Sequence, residues 1–368
     1  MLEFVRIQRF KTLMDASFPL AALNVFTGLN GMGKSSLIQT MLLLRQSYEK
    51  NTLGSRGLLL HGDYVSLGVG RDILSAQAEI NNLEFLFKWS GLSPVTFQFD
   101  FKPDSNLQPQ LRMDSIQNIE QISLFNRNFQ YLSADRIGPK STYETSDYHI
   151  RDLNSLGNHG EYTAHFIEAN ARKALPIPEL IHQSAVSPFF IANVDAWMSE
   201  ITPGVRVRAA VQPQTNTATL AYAFVQDKDI TADFKPQNVG FGLTYALPVV
   251  VALLRAKPGD LLIIENPESH LHPAGQATVG KLCAIAAAHG VQLVIESHSD
   301  HFLNGVRVAV KQGLIVPERV SLFFLQRAAY SQAHASSVLN PKLDSQGHLD
   351  QWPVGFFDEW DKKLEQLL

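Results

Sequence analysis

The 368-residue chain contains a single cysteine, Cys283, which excludes a disulfide framework and a cysteine-based zinc site. It also lacks any apolar run of the roughly 18 residues that a membrane span requires. The longest such runs, residues 246–254 and 261–264, fall well short. Charge of one sign is missing too, since 31 Lys and Arg stand against 35 Asp and Glu for a formal net charge of −4. That balance argues against a protein that coats nucleic acid by bulk electrostatics and leaves room only for a local basic groove. No internal repeat, heptad run or low-complexity tract is present, so no long coiled-coil arm interrupts the chain. The opening MLEFVRIQRFK alternates basic with apolar residues instead of leading into an apolar block, as a strand does and an export signal does not. With 45% hydrophobic residues the composition is globular, and the length suits one large domain or two ordinary ones. A reducing cytoplasm with no membrane attachment is the expected setting.

What the chain does have is a strand, loop and helix around residues 23–46. Residues 23–27 form an apolar run, broken by Gly28, Gly31 and Gly33 before a strongly apolar helical pattern begins at Ser35. Gly28-Leu29-Asn30-Gly31-Met32-Gly33-Lys34-Ser35 fits G-x-x-x-x-G-K-S, whose glycines let backbone N–H groups turn inward toward phosphate oxygens. Lys34 is placed to reach the β- and γ-phosphates and the Ser35 hydroxyl to ligate Mg²⁺, with the positive helix end pointing at the anion. Asn30, Gly31, Gly33, Lys34, Ser35 and Ser36 are the expected ATP contacts. A glycine-rich turn that merely caps a helix is the competing explanation, and it does not account for the flanking strand.

The remaining organisation follows in order. Residues 2–8 alternate as a first strand, and 16–23 lead antiparallel into the loop. Residues 51–75 are glycine-rich and without periodicity. Residues 82–89 and 94–102 alternate with aromatics, as a β-hairpin does. Residues 129–133 give a strand ending in Asp135 and Arg136, an acid and a base at a strand end. The stretches 140–160 and 174–188 read as loops around a helix over 161–173. Strands at 205–212 and 217–226 flank a turn. Gly240 and Gly242 then open a long apolar helix, which alone is weak support for a phosphate contact, tight helix packing being the competing explanation. Residues 261–264 and 291–295 form apolar strands that end in acids and histidines, with a helix over 274–289 between them. The carboxyl ends of such strands are where open α/β sheets bind ligands.

These four features in order resemble an ABC-type ATPase head. More narrowly, PESHLHP after the first acidic strand and ESHSDHFLN after the second are similar to patterns of the branch containing RecF, SMC and the OLD-family nucleases. The segment Gln351-Trp352-Pro353-Val354-Gly355-Phe356-Phe357-Asp358-Glu359 resembles the end of stand-alone bacterial ATPases that finish in a small domain of unknown function, of phage-defence or genome-maintenance type. The resemblance covers both ends of the chain well and residues 51–236 poorly. It implies an α/β fold, an ABC-type P-loop ATPase head with a mixed sheet core, an antiparallel β subdomain and an inserted helical and loop lobe. The expected division is an N-terminal ATPase lobe over 1–139, an inserted lobe over 140–236, a C-terminal ATPase lobe over 237–318 and a small domain over 319–368.

On this resemblance Gly240 and Gly242 match the signature loop that reaches the γ-phosphate held by a partner copy, so ATP is sandwiched in a homodimer or higher oligomer. Glu265 matches the acid that holds Mg²⁺, residues 269–272 the loop lining the dimer seam, and His298 the switch histidine. Two departures stand out. Asn266 occupies the place of the glutamate that orients or deprotonates attacking water, and an amide cannot accept that proton. Turnover is therefore expected to be slow, with Glu268 or His298 assisting. The signature serine is replaced by Gly240, with Thr244 as the compensating contact. Only about seventy residues follow His298, too few for an OLD-type nuclease, so cutting chemistry is assigned to a separate effector, a nuclease among the candidates, acting on DNA or RNA. Two other readings stay open: a nucleotide-gated scaffold without turnover, and a metal-dependent hydrolase built on Glu265, Glu268, His270, His272, Glu296, His298, Asp300 and His301. The second is weakened because His270 and His272 lie two apart and not four.

Overall fold

The aromatic alternation in the first third of the chain becomes one face of an antiparallel sheet. In the computed structural model, which describes residues 1–226, 229–328, 335–353, 355–357 and 359–367, strands β5 (Asn82–Trp89) and β6 (Val95–Asp100) pair with Phe85 opposite Phe97. Phe85, Phe87, Phe97 and Phe99 are all fully buried, because a two-residue period puts every second side chain on the core face. The sheet is completed by β1 (Leu2–Phe10), β2 (Leu13–Pro19), β4 (Gly57–Leu59) and β7 (Leu107–Met113), in the order β2-β1-β5-β6-β7-β4. The strand β7 was not expected, since Pro109 within it argues against a ladder position. It pairs with β6 and, through Pro109, with the short β4.

Contacts divide the chain into two compact units. The first comprises Met1–Asn126, Val320–Leu343 and Leu349–Leu368. Besides the antiparallel sheet it contains β3 (Leu23–Gly28), α1 (Lys34–Glu49), and, from the C-terminal part, β15 (Val320–Arg327), β16 (Ser336–Leu339) and α7 (Glu359–Leu367). Here β3 runs parallel to β15, and β15 antiparallel to β16. Phe26 stacks on Phe323 across that pair at 4.7 Å between ring centroids, with Phe18 against both. Such contacts dock the C-terminal strand onto the one that feeds the phosphate loop. Within the C-terminal motif Val354 and Asp358 lie outside the described residues.

The second unit comprises Arg127–Arg319 and Asp344–His348. Its core is the parallel set β8 (Phe129–Leu132), β13 (Leu261–Glu265) and β14 (Gln292–Glu296), in register so that Glu265 faces Glu296. Helices α4 (Phe241–Arg255), α5 (Pro273–Ala288) and α6 (Asp300–Lys311) accompany these strands. Gly280 and Gly305 let α5 and α6 touch, since a Cβ at either would lie within 2.3 Å of the other helix's backbone. A smaller sheet, β10 (Val205–Gln212), β11 (Thr217–Gln226) and β12 (Asp229–Ile230), with β9 (Tyr143–Glu144) on β11, adjoins α2 (Thr163–Asn170) and α3 (Phe190–Ile201). Helix α2 is shorter than the sequence pattern implied, and α3 was missed behind a proline-rich loop. Its 3-to-4 spacing of Phe190, Val194, Trp197 and Ile201 was nevertheless legible. No helix among the described residues is long and apolar enough to cross a membrane.

Within this lobe Asp195 accepts the Val207 N–H at 2.8 Å, and burial pushes its carboxyl up to about 6. A folded value above the unfolded one means that stability is fully present below the unfolded value and is lost as pH rises through about 6. Asp195→Asn keeps an acceptor oxygen and removes the titration. Urea unfolding of the variant should therefore exceed wild type at pH 8 by on the order of 2 kcal/mol and match it near pH 4.

Candidate functional site

Each unit contributes one group of residues. In the first, β3 ends at Gly28, whose φ of 138° belongs to glycine. A Cβ there would meet the Leu325 carbonyl oxygen at 2.1 Å, so this glycine also serves the β3–β15 pairing. Gly31 (φ 76°) and Gly33 (φ 82°) turn the chain through the left-handed region. Gly33 is the N-cap of α1 and supplies no side-chain cap, as suits a helix end that faces an anionic acceptor. Lys34 is 5% exposed. Its Nζ curls back onto the loop, donating to the carbonyls of Gly28 (3.0 Å) and Leu29 (2.9 Å). Asn30 and Gly31 stand exposed at the tip, Ser35 is half-buried, and Ser36 is buried with its N–H on the Gly33 carbonyl.

In the second unit the carboxyl ends of β8, β13 and β14 gather Glu265, Asn266, Glu268 and His298. Glu265 Oε2 accepts the Ala134 N–H at 3.2 Å. Glu268, 7% exposed, accepts the His298 N–H on Oε1 at 2.7 Å, and its buried Oε2 has no partner. Burial raises the carboxyls of both Glu265 and Glu268 above the ordinary glutamate range, with hydrogen bonds and Arg136 pulling the other way. The His298 ring is partly exposed, its Nε2 3.9 Å from Glu296 Oε1.

Sequence reasoning did not assign the residue that ties this group together. Arg136, 2% exposed, donates to the carbonyls of Ser133 (3.1 Å), Glu265 (2.6 Å) and Asn266 (2.5 Å). Desolvation lowers its guanidinium to about 10, so it stays cationic at neutral pH. The only sequence signal was an acid and base pair at a strand end.

Asn266 has a backbone reason to be asparagine. Its φ is 44°, in the left-handed region that asparagine tolerates better than most residues. Its N–H donates to the Glu296 carbonyl at 2.8 Å, while its buried Oδ1 has no partner.

Gly240 caps the amino end of α4 in open space. Gly242 lets that end press on the next loop, since a Cβ would lie 2.5 Å from the His270 carbonyl oxygen. Tyr245 packs on the His270 ring at 4.7 Å. The helix start and residues 269–272 are thus one surface. Thr244 does not join it. It is 3% exposed and lies against Tyr222 in the core, so as a phosphate contact it is corrected here: the helical period turns it inward.

The residues suit a magnesium nucleotide. An uncapped helix start behind left-handed glycines accepts phosphate, and buried carboxyls short of solvation favour a divalent cation. Among the described residues no three His, Cys, Asp or Glu converge as a metal-holding group by themselves.

A family model described as "AAA domain, putative AbiEii toxin, Type IV TA system" matches residues 23–304. A second, described as a protein of unknown function (DUF3696), matches residues 315–367. No curated protein matches. Among solved structures, the Smc head bound to the C-winged helix domain of ScpA is similar at TM-score 0.58 and 13% identity, over 93% of this chain and 98% of that one. The Smc head with an extended coiled coil bound to the C-terminal domain of ScpA, derived from Pyrococcus furiosus, is similar at TM-score 0.51 and 14% identity, over 100% and 99%. At such identities the likeness is one of fold, that of an ABC-type P-loop ATPase head. The family match spans most of the sequence and includes both groups of residues described above, and the chain therefore belongs to the AAA domain family, putative AbiEii toxin, Type IV TA system.

Proposed function

We propose that this protein is an ATP-binding and slowly hydrolysing ATPase that works as a nucleotide-driven homodimer switch. It controls a separate effector, with a nuclease among the candidates, in cytoplasmic defence or genome maintenance linked to nucleic acid. The phosphate loop carries the reading: left-handed glycines, a helix α1 without a side-chain cap and a lysine whose ammonium donates to carbonyls of its own loop. In this reading Lys34 exchanges those carbonyls for phosphate oxygens. The Ser35 hydroxyl and Glu265 hold Mg²⁺, which supplies charge neutralisation on the phosphates. Asn30, Gly31, Gly33 and Ser36 complete the cradle. Backbone N–H groups at Gly240 and Gly242 face the γ-phosphate of nucleotide held by a second copy, as the open space around Gly240 allows. Residues 140–236 are then an inserted lobe of the second unit, and most of 319–368 completes the first unit instead of forming a domain of its own. The Smc heads above are bound to ScpA fragments, and a protein docked on an ATPase head is the arrangement we carry over.

Asn266 orients water through its unpartnered Oδ1 and cannot take a proton. Glu268, with its raised carboxyl and unpartnered Oε2, and His298 are the groups assigned to accept it. Mass in solution with and without ATP and Mg²⁺, followed together with phosphate release, tests this. ATP should dimerise the protein with phosphate release far slower than assembly, and absence of any nucleotide response would reject the switch.

The left-handed backbone at Asn266 favours one alternative, a nucleotide-gated scaffold without turnover, in which the asparagine serves the turn alone. Asn266→Glu separates the two. A switch limited by its missing base should turn over at least about tenfold faster, whereas a scaffold should gain nothing. Either way the variant should lose about 1 kcal/mol of stability for a left-handed glutamate.

A further inference from the structure

The second unit holds a cavity of about 530 Å³ that none of the foregoing uses. It lies at the amino-terminal ends of the parallel strands, since Arg127 just precedes β8 and Lys257 precedes β13, and the Leu261 N–H bonds the Asn128 carbonyl there. The acids and His298 stand at the opposite, carboxyl ends. One wall is a π-helical turn, Tyr148–Asp152, followed by Asn154 at φ 49°. The other is the C-terminal half of α2 with Lys173 beyond it. Single π turns gather at functional sites more often than their rarity predicts, and the volume is that of a small-molecule pocket.

The lining carries an excess of positive charge. Arg127, Arg151, Lys173 and Lys257 face two acids, Asp152 and Glu168, on a chain whose net charge is −4. Arg151 is paired with Asp147 at 3.0 Å, whereas Arg127, Lys173 and Lys257 make no ion pair among the described residues. His165, 8% exposed, lines the same space. Its Nδ1 accepts the Ser146 N–H at 3.1 Å, which puts the ring proton on Nε2 and leaves that atom as a donor. Unpaired cations beside carboxylates and an asparagine amide are the complement of a molecule with phosphate at one end and hydroxyls at the other.

We propose that this cavity is a second binding site, separate from the phosphate loop, for a phosphorylated small molecule of nucleotide size. Phosphate sits on Arg127, Lys173 and Lys257, and the hydroxyl-bearing part faces Asp152, Glu168 and Asn154. The proposal does not rest on the ATPase reading. Isothermal titration of the full chain with ADP tests it in wild type, in Lys34→Ala and in Lys173→Glu/Lys257→Glu, whose exposed positions spare the fold. Wild type should show two binding events per chain, Lys34→Ala should keep one, and the double variant should keep the other. Added to Lys34→Ala, the double substitution should weaken ADP at least about tenfold, and inorganic pyrophosphate should bind more weakly than ADP. The site is refuted if Lys34→Ala binds neither probe below about 1 mM. It is equally refuted if the double substitution leaves that binding within about twofold. Persistence of both events in Lys34→Ala would instead refute the phosphate loop, so the two failures are distinguishable. Should Lys34→Ala not fold, the fall from two events to one in the double variant carries the test.

Discussion

Lys34→Ala is expected to weaken ATP binding by on the order of a hundredfold, about 3 kcal/mol, because it removes a charge-assisted contact to two phosphate groups. The fold should survive. The Lys34 ammonium donates to the carbonyls of Gly28 and Leu29, and Leu29 is 53% exposed, so water can replace it there. The loss of stability should stay below about 1 kcal/mol. Lys34→Arg should bind ATP nearly as poorly, since a planar guanidinium does not fit a buried point-charge position. Fluorescence titration with ATP and Mg²⁺ beside a urea unfolding curve checks both halves. Wild-type affinity in Lys34→Ala would remove the phosphate-loop assignment, whereas loss of the fold would make the lysine structural.

Arg136→Met should produce the largest loss of stability of any single substitution considered, about 3–5 kcal/mol. Three carbonyls lose a charged donor at once, and those of Glu265 and Asn266 belong to the segment that carries the candidate acid and the candidate water-positioning amide. The guanidinium also offsets the burial that raises Glu265 and Glu268. Without it those carboxyls rise further. Their contribution is then fully present at low pH and lost as pH rises through the new, higher values, so the variant should fall further behind wild type at pH 8 than at pH 5. Arg136→Lys should recover part of the stability and little turnover, because a single ammonium cannot hold three divergent carbonyls. Unfolding curves at the two pH values with phosphate-release rates decide this. An Arg136→Met protein within about 1 kcal/mol of wild type would show that the strand ends hold themselves.

Contiguity decided what could be read from the sequence. The phosphate loop is eight consecutive residues in a recognisable order, and the two apolar strands announce their own ends, so Lys34, Ser35, Glu265 and His298 stand out as candidates without coordinates. Thr244 was misplaced because its neighbours suggested a helix start but not which face the third residue takes, and that face is set by packing against Tyr222. Asn266 looked like a glutamate lost from a catalytic position. Its φ of 44° supplies a second reason for asparagine that no pattern contains.

The sequence by itself determined the α/β class, the strand-loop-helix cradle and the acidic ends of the two parallel strands, since periods of two and 3.6 and the steric freedom of glycine are local properties. Only the tertiary structure decided that Arg136 closes on the carbonyls of Glu265 and Asn266, about 130 residues away. It alone decided that Gly28 is held against the Leu325 backbone, and that Arg127, Lys173 and Lys257 line one cavity. Such contacts come from how buried polar groups and close-packed backbones are satisfied across the fold, and spacing along the chain does not encode them.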